Sequence, residues 1–487
     1  MSLNSRGRAS PAASRRRRPG AVLAATVTTV ATTLAAALLV PVATAGAQVA
    51  PAGGAATADS VVVLTSPGAA ARIAAERSAG VEAARLRAAQ AEARIGQERA
   101  DLLPSASLEL SDGQRTFNTA SFGIDFPTEP GQPPLFDPNG QIEGPVRTVD
   151  VRGRVAAPLL DLPALARVRT ARTEAEAAGA VVERSAESAA LAGAQSFIRA
   201  VRAAALVRAR EADSALAADL LGIARDQLEA GVGVGLDVTR AEAQVASAHA
   251  QLIAARADRD RTQLELRRAL GLPLDTPLVI PDTLAPTTAA AAIAGTPGVA
   301  PIVEQAMQQR ADVRAAELQL EAARRDVAAI RAERLPTIGV FIDDGGTGLD
   351  YSHLLNTYTY GVQLSVPLFE GFRRESRVEE QQAVARELDV RRRDLRQQVA
   401  LEVRSAALDL AAAGEQVEAA RERLRLAQQE VAQARERFAA GVSGNADIVS
   451  ASLALNTART QLVDALAAQH SARVTLAAAG GTVTELP

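Results

Sequence analysis

The sequence predicts a mainly α-helical protein that carries membrane-facing β-strands and contains an internal two-fold repeat. Three observations predict this fold class. An apolar heptad seam runs from Val399 to Phe438, short runs alternate between apolar and polar residues, and element boundaries recur about 210 residues apart. A chain of 487 residues could hold several domains, but one duplicated unit accounts for the pattern more simply.

The seam indicates a long helix that packs on neighbours along its whole length. Steps of three and four residues meet only apolar side chains, and from Val403 onward a larger side chain alternates with alanine. At about 1.5 Å per residue, the seam spans roughly 60 Å. Heptad spacing of this kind is typical of helices packed side by side, with charged faces toward water. The seam residues are Val399, Val403, Ala406, Leu410, Ala413, Val417, Ala420, Leu424, Ala427, Val431, Ala434 and Phe438.

Proline placement permits two long helical tracts. The chain has 23 prolines, yet none lies between Ala164 and Leu272 or between Leu368 and Leu486. Proline breaks a helix interior, so its absence over such lengths is typical of long helices. Aromatic residues make up only 2% of the chain and tryptophan is absent. This composition favours thin, side-by-side helix packing over a thick aromatic core.

Charge and cysteine content exclude several classes of function. All 53 basic residues are arginine, and without the first 47 residues the chain has 47 basic and 56 acidic residues, a formal charge of −9. Nucleic acid is a poor partner for that balance. The absence of cysteine excludes disulfides, thiolate metal sites and N-terminal lipid attachment. Three histidines and two methionines also argue against a metal site, so neither metal nor cofactor is predicted.

Residues 1–47 are interpreted as a signal peptide. Arg15 to Arg18 form a positive region, Ala21 to Val40 carry no charge, and Ala45-Gly46-Ala47 offers a small-residue cleavage pattern. A single membrane anchor is the alternative, because twenty uncharged residues can just span a bilayer. The Arg15-Arg16 pair also permits a twin-arginine signal. Each interpretation predicts export from the cytoplasm.

The first predicted unit, residues 48–272, consists of a helix, a β-hairpin and a long helical hairpin. The helix covers about 69–101 and ends at Leu103-Pro104. The β-hairpin covers 104–158, with a loop at about 112–145 and a second strand that Pro158 ends. The helical hairpin covers 159–271, with its first helix starting at Ala164 and its return helix running from Asp237 to about Leu270.

After a proline-rich connector, residues 273–301, the same order of elements is predicted again in residues 302–487. The helix, about 303–334, is broken near Arg310 to Asp312. The β-hairpin covers 336–367 and the helical hairpin 368–479, before a C-terminal tail. Spacing supports a duplication, since Pro158 and Pro367 are 209 residues apart, while Gly231 and Gly441, like Asp237 and Asp447, are 210 apart.

The strand pattern predicts contact with lipid on one face and water on the other. Val149, Val151 and Val155 alternate with Asp150, Arg152 and Arg154. An ordinary sheet packed on helices would also alternate, and it remains the alternative. Four strands cannot close a membrane barrel, for which about eight is the minimum. Several chains must therefore share one barrel, because open sheet edges in hydrocarbon leave backbone groups unsatisfied.

Two Leu-Pro junctions, Leu103-Pro104 and Leu335-Pro336, each lead from helix to strand. Val366-Pro367-Leu368-Phe369-Glu370-Gly371, with a weaker counterpart at Ala157 to Asp161, leads into each long helix. The turns Glu229-Ala230-Gly231-Val232 and Ala439-Ala440-Gly441-Val442 end those helices. With these features in duplicate and in order, the chain resembles the TolC-type outer-membrane efflux and secretion channel family over essentially its whole mature length.

The resemblance implies a homotrimer with a twelve-stranded β-barrel continuous with a long α-helical coiled-coil barrel. It implies a passive exit duct in the outer membrane of a Gram-negative bacterium, extending into the periplasm. The implied partners are outer-membrane lipid, a periplasmic adaptor, and an inner-membrane pump or ABC exporter of a tripartite efflux or type I secretion system. No catalytic residues are expected.

The resemblance also implies two sets of site residues. The periplasmic constriction set comprises Asp447, Asp237, Ser450 and Phe438. The adaptor-contacting tips comprise Gly231, Val232, Gly233, Gly235, Leu236, Gly441, Val442, Ser443 and Gly444. Helix N-capping, which stabilises a helix by about 1 kcal/mol, is an alternative and compatible role for both aspartates.

Two other functions compete with the channel. A periplasmic coiled-coil adaptor or scaffold would also have a helical hairpin, but a single one flanked by β-rich domains. An enzymatic function is not supported, because the sequence shows no catalytic arrangement of residues. The motif Gly231-x-Gly233-x-Gly235 lacks the preceding strand that a nucleotide-binding loop requires.

Overall fold

A computed structural model describes residues 61–122, 140–284, 298–440, 442 and 445–486. The predicted signal peptide, the middle of the predicted loop at 112–145 and much of the connector lie outside this part of the chain. The residues cluster into two compact units. Arg99–Leu165 and Ala332–Glu370 form a strand unit, and Pro51–Glu98, Ala166–Arg331 and Gly371–Pro487 belong to a helical unit.

The described elements occur in two similar series. Each series has two short helices, two strands, one helix of 68 or 67 residues and one helix of 35 residues. In chain order the elements are β1 (Val62–Val63), α1 (Pro67–Arg77), α2 (Ala79–Ala100), β2 (Ser105–Asn118), β3 (Ile142–Leu160), α3 (Leu162–Glu229), α4 (Gly235–Ala269), β4 (Leu278–Val279), α5 (Ala300–Gln309), α6 (Ala311–Ala332), β5 (Thr337–Gly348), β6 (Leu355–Ser365), α7 (Arg373–Ala439) and α8 (Asn445–Ala479). The fold is therefore mostly helical with some sheet.

The strand unit is one antiparallel sheet in the order β2-β3-β5-β6. The pairing of β3 with β5 joins the two predicted β-hairpins, with Val151 opposite Gly346 and Val155 opposite Ile342. Within the described residues, β2 and β6 each pair on one side only. The sheet therefore has two open edges.

Two predictions about the strands were wrong. β2 and β3 extend well into the predicted loop at 112–145, because the polar and glycine-rich sequence Asp112-Gly113-Gln114 hides the alternation of a paired strand. Pro158 does not end β3, which continues to Leu160. The register shifts between Pro158 and Leu160, which accommodates a residue without a backbone N–H.

The helical unit confirms the predicted seam. Ten of its twelve residues are buried, and Leu424 and Ala434 are half-buried. The first third of the seam packs with residues of α5, α6 and α8, among them Ala306, Val313 and Leu476. The last third, around Phe438, packs with residues of α3, α4 and α8. The seam thus binds α7 to partners along its length, as heptad packing requires.

The predicted helix break near Arg310 to Asp312 is confirmed between α5 and α6. Arg310 bridges it, with Nη2 2.7 Å from Asp312 Oδ2 and Nη1 2.7 Å from Glu402 Oε2 of α7. Burial, the largest single influence, raises the pKa of Asp312, but the hydrogen bonds and charge of Arg310, the Val313 N–H and the charge of Arg184 together hold that pKa below its usual value. These bonds fix the break against α7.

A second break, at Ser78 between α1 and α2, is not apparent from the sequence. Ser78 has an extended backbone with ψ 133°, and its Oγ accepts from the Gly80 N–H at 3.3 Å. Serine within an alanine-rich run gives a weaker signal than proline or glycine. The short parallel pairing of β1 with β4 was likewise not predicted.

Candidate functional site

The turn between α3 and α4 is built from glycine and exposed valine. Gly231 has φ +75°, a left-handed conformation that glycine adopts without strain. The Val232 and Gly233 N–H groups both donate to Gln227 O, at 3.0 and 2.9 Å. A Cβ on Gly233 would lie 2.9 Å from Leu228 N, so the turn excludes larger residues there. Val232 and Leu236 are exposed, which leaves an apolar tip facing outward.

The turn between α7 and α8, of which the structure describes Val442, has the same type of backbone hydrogen bond. The Val442 N–H donates to Arg437 O at 2.9 Å, the counterpart of the Val232 bond 210 residues earlier. Val442 is 70% exposed. Gly441, Ser443 and Gly444 lie outside the described residues. Both hairpins therefore present an apolar valine at the turn.

Asp237 and Asp447 lie inside the first turns of α4 and α8, two residues after each helix begins. The N-cap of α4 is Val234, which makes no side-chain capping bond. The capping interpretation is therefore wrong for Asp237, and Asp447 also lies within its helix. Both carboxylates still lie where a helix N-terminus favours negative charge. Asp447 and Ser450 are exposed on α8.

Two polar side chains missed by the sequence analysis link the hairpins near their tips. Gln227 Nε2 donates to Phe438 O at 2.6 Å, and Asn445 Nδ2 donates to Asp237 O at 2.7 Å. Phe438 itself is 2% exposed and packs against residues that include Leu220 and Ile448. Polar residues at helix ends carry no sequence signal for such contacts, because the acceptors are backbone carbonyls of another hairpin.

One face of the sheet is apolar and exposed. Register places Leu108 and Leu110 of β2 on the same face as Val151, Val155 and Ile342. On β6 the same face carries Tyr358, Tyr360, Val362 and Leu364, of which Tyr360 is 74% exposed. The alternative of an ordinary core-covering sheet requires these side chains to be buried. Most of them are exposed, which instead fits a surface that faces lipid. On β3, however, Val151 and Val155 are half-buried, and Val149, which was predicted to face lipid, is fully buried.

The opposite face is polar and internally bonded. Arg152 Nη2 donates to Asp150 Oδ2 and to Thr357 Oγ1, both at 3.1 Å. Arg154 Nε lies 3.5 Å from Asp343 Oδ1, and its guanidinium lies 5.6 Å from the centre of the Phe341 ring. The contacts of Arg152 with Thr357 and of Arg154 with Asp343 and Phe341 join different strands, whereas Arg152 and Asp150 pair along β3.

Asp344 interrupts the apolar face. It pairs in register with Gly153 on one side and Tyr358 on the other, so its side chain lies on the same face as Leu108. A carboxylate on a lipid-facing surface is costly, although less so than a basic residue. The apolar alternation of Ile338, Val340 and Ile342 therefore ends at Ile342.

Within the described ranges, no group of three or more His, Cys, Asp or Glu side chains could hold a metal ion. One described helix, α3, is long and apolar enough to cross a membrane by length and composition. However, 61% of its most apolar window is buried inside the protein. This helix is therefore weak evidence for a membrane span.

A two-faced sheet with open edges and two long helical hairpins defines the class of outer-membrane channels. The family model described as "Outer membrane efflux protein" matches residues 70–272 and 302–482. The chain belongs to this outer membrane efflux protein family. The match also confirms the family resemblance inferred from the sequence and the location in the outer membrane, extending into the periplasm.

Similar proteins agree with this assignment. The alkaline protease secretion protein AprF of Pseudomonas aeruginosa is 27% identical over 48% of this chain and 49% of its own length. The outer membrane efflux protein BepC of Brucella suis is 30% identical over 39% of this chain and 41% of its own length. The matches span less than half of each of these relatives.

Solved structures share the fold. The Vibrio cholerae outer membrane protein VceC has a TM-score of 0.68 at 19% identity, over 85% of this chain and 96% of its own. The Campylobacter jejuni CmeC outer membrane channel has a TM-score of 0.69 at 15% identity, over 85% of each chain. At these identities the similarity shows the fold alone.

Proposed function

We propose that this protein is the outer-membrane exit duct of an efflux or secretion system and conducts substrates passively. The observation that carries the proposal is the sheet, whose exposed apolar face and bonded polar face suit lipid outside and water inside. The chain performs no chemistry in this role. Energy comes from the pump that it serves.

The open edges support a shared barrel. Each chain offers four strands, with β2 and β6 at the edges. Three copies would supply twelve strands and close the sheet, which removes unsatisfied backbone groups from the hydrocarbon. The two series of elements and the matching Val232 and Val442 bonds support an origin by duplication.

The hairpin tips are proposed as the adaptor-contacting surface. Val232 lies on the turn that Gly231 and Gly233 shape, Leu236 lies at the start of α4, and Val442 lies on the second turn; all three are exposed and apolar. The residues of the tips are Gly231, Val232, Gly233, Gly235, Leu236, Gly441, Val442, Ser443 and Gly444. The partners in this proposal are a periplasmic adaptor and an inner-membrane pump or ABC exporter.

The proposed periplasmic constriction involves Asp447. Asp237, Ser450 and Phe438, which also lie near the ends of the helical hairpins, complete the set. Asp447 and Ser450 are exposed and available to a pore. Phe438 is buried in its own chain, so its part would be to support the helix ends from inside.

Asp447→Ala is expected to raise single-channel conductance severalfold in planar bilayers. Three carboxylates around an entrance attract and hold cations, and alanine removes both their charge and their bulk. Cation preference should fall in the same recordings. Glu418→Ala is the control, because Glu418 is an exposed carboxylate on α7 about six turns from its tip. Equal conductance of Asp447→Ala and the parent would refute a pore-facing role for Asp447.

A further inference from the structure

A groove within the helical unit is lined by residues outside the proposed tips and constriction. Residues of α2, α3, α6 and α7 line it, and its volume is about 460 Å³. This size is within the range of small-molecule sites, roughly 300–1,000 Å³. Its floor is made of buried alanines, and larger apolar side chains form the walls. The apolar lining comprises Ala84, Ala177, Ala178, Val181, Ala322, Ala323, Val384 and Leu388.

Two carboxylates, one exposed and one half-buried, line this groove. Glu174 comes from α3 and Asp326 from α6. Gln381 Nε2 of α7 donates to Asp326 Oδ2 at 3.2 Å. Burial raises the pKa of Asp326, and the negative charge of Glu174 raises it further. A bound cation would relieve both costs, because it replaces lost solvation and screens the repulsion between the carboxylates.

The other lining groups set the balance of charge. Arg87 of α2 is the one basic residue among the residues that line the groove, and the α7 residues that line it are uncharged. Two carboxylates against one guanidinium leave a net negative site. Alanine and valine surfaces around it favour a ligand with an apolar body.

We infer that this groove binds a small organic cation, an alkylammonium with a short apolar chain. The ammonium lies between the Glu174 and Asp326 carboxylates, and the chain lies along the alanine floor. An anionic or neutral ligand of equal size lacks the charge interaction. Since the inference needs no transport, it stands independently of the exit-duct function.

Isothermal titration calorimetry on the full protein in nanodiscs tests the site with hexyltrimethylammonium. Hexanoate and hexanol are the matched anionic and neutral probes. We expect binding of the cation alone, and about tenfold weaker binding in Asp326→Asn and in Glu174→Gln. Affinity should also fall as the pH is lowered through the raised pKa of Asp326, because protonation removes its charge. Arg87→Gln should bind more tightly.

Two further variants separate the site from general effects. Glu176→Gln removes an exposed carboxylate from the same helix outside the groove, and it should bind like the parent. Ala323→Leu fills the floor with the charges intact and should abolish binding. The inference is overturned if the parent protein does not bind the cation. Covering of the groove by a second copy of the chain would give this result. It is equally overturned if Asp326→Asn and Glu174→Gln bind unchanged.

Discussion

Val362→Arg is expected to destabilise the membrane-inserted assembly by about 2–4 kcal/mol per chain. Val362 lies on the apolar face of β6 and is 70% exposed. If that face meets hydrocarbon, arginine there must lose much of its hydration. The measurement is the temperature at which the folded assembly converts to unfolded monomer on a semi-native gel, after extraction from outer membranes.

Gln363→Arg is the matched control. Gln363 is the next residue on the same strand and points to the opposite, polar face, where it pairs in register with Gly339. A water-filled lumen accommodates arginine, so this variant should melt like the parent. If both variants melt alike, or if Gln363→Arg is the weaker protein, the assignment of the two faces is wrong.

Asp213→Ala is expected to destabilise the contact between α3 and α8 by about 3 kcal/mol. Asp213 is 7% exposed and lies 2.5 Å from Arg459 Nη1 and 3.1 Å from Arg210 Nη1. Arg210 Nη2 also donates to Thr460 Oγ1 at 3.0 Å. Alanine would leave two partly buried guanidinium groups without their shared carboxylate. Hydrogen exchange of α3 and α8 amides should accelerate by about a hundredfold or more.

Asp219→Ala provides the comparison for that experiment. Asp219 lies on the same helix, 61% exposed and 4.0 Å from Arg435 of α7. Exposed pairs of this kind contribute about 0–1 kcal/mol. Exchange rates should therefore change little. Similar acceleration in both variants would mean that burial of Asp213 does not set its contribution.

The helical part of the fold was predictable because its signal repeats. Every third or fourth residue from Val399 to Phe438 is apolar, and one wrong position would not hide the pattern. Element boundaries that depend on a single residue were predicted less reliably. Pro158 was expected to end a strand that in fact continues, since a register shift accommodates it. Ser78 was not recognised as a break because its effect depends on local hydrogen bonds.

The sites were predictable only in part. Glycine turns locate the hairpin tips, because Gly231 needs positive φ. The partners of those tips within the chain, Gln227 and Asn445, were not predictable, because they donate to backbone oxygens far away in sequence. Asp344 was also missed, because the alternation on β5 was followed only to Ile342, although the strand continues to Gly348.

Disulfide cross-linking between strand edges tests the shared barrel most directly, and the absence of native cysteine makes it clean. Leu108→Cys on β2 would be combined in turn with Tyr358→Cys, Tyr360→Cys or Val362→Cys on β6, to sample the register between copies. Oxidation of one combination in outer membranes should give covalent dimers and trimers, with no larger species. Monomers alone from every combination, or a ladder that continues beyond three, would contradict a barrel closed by three chains.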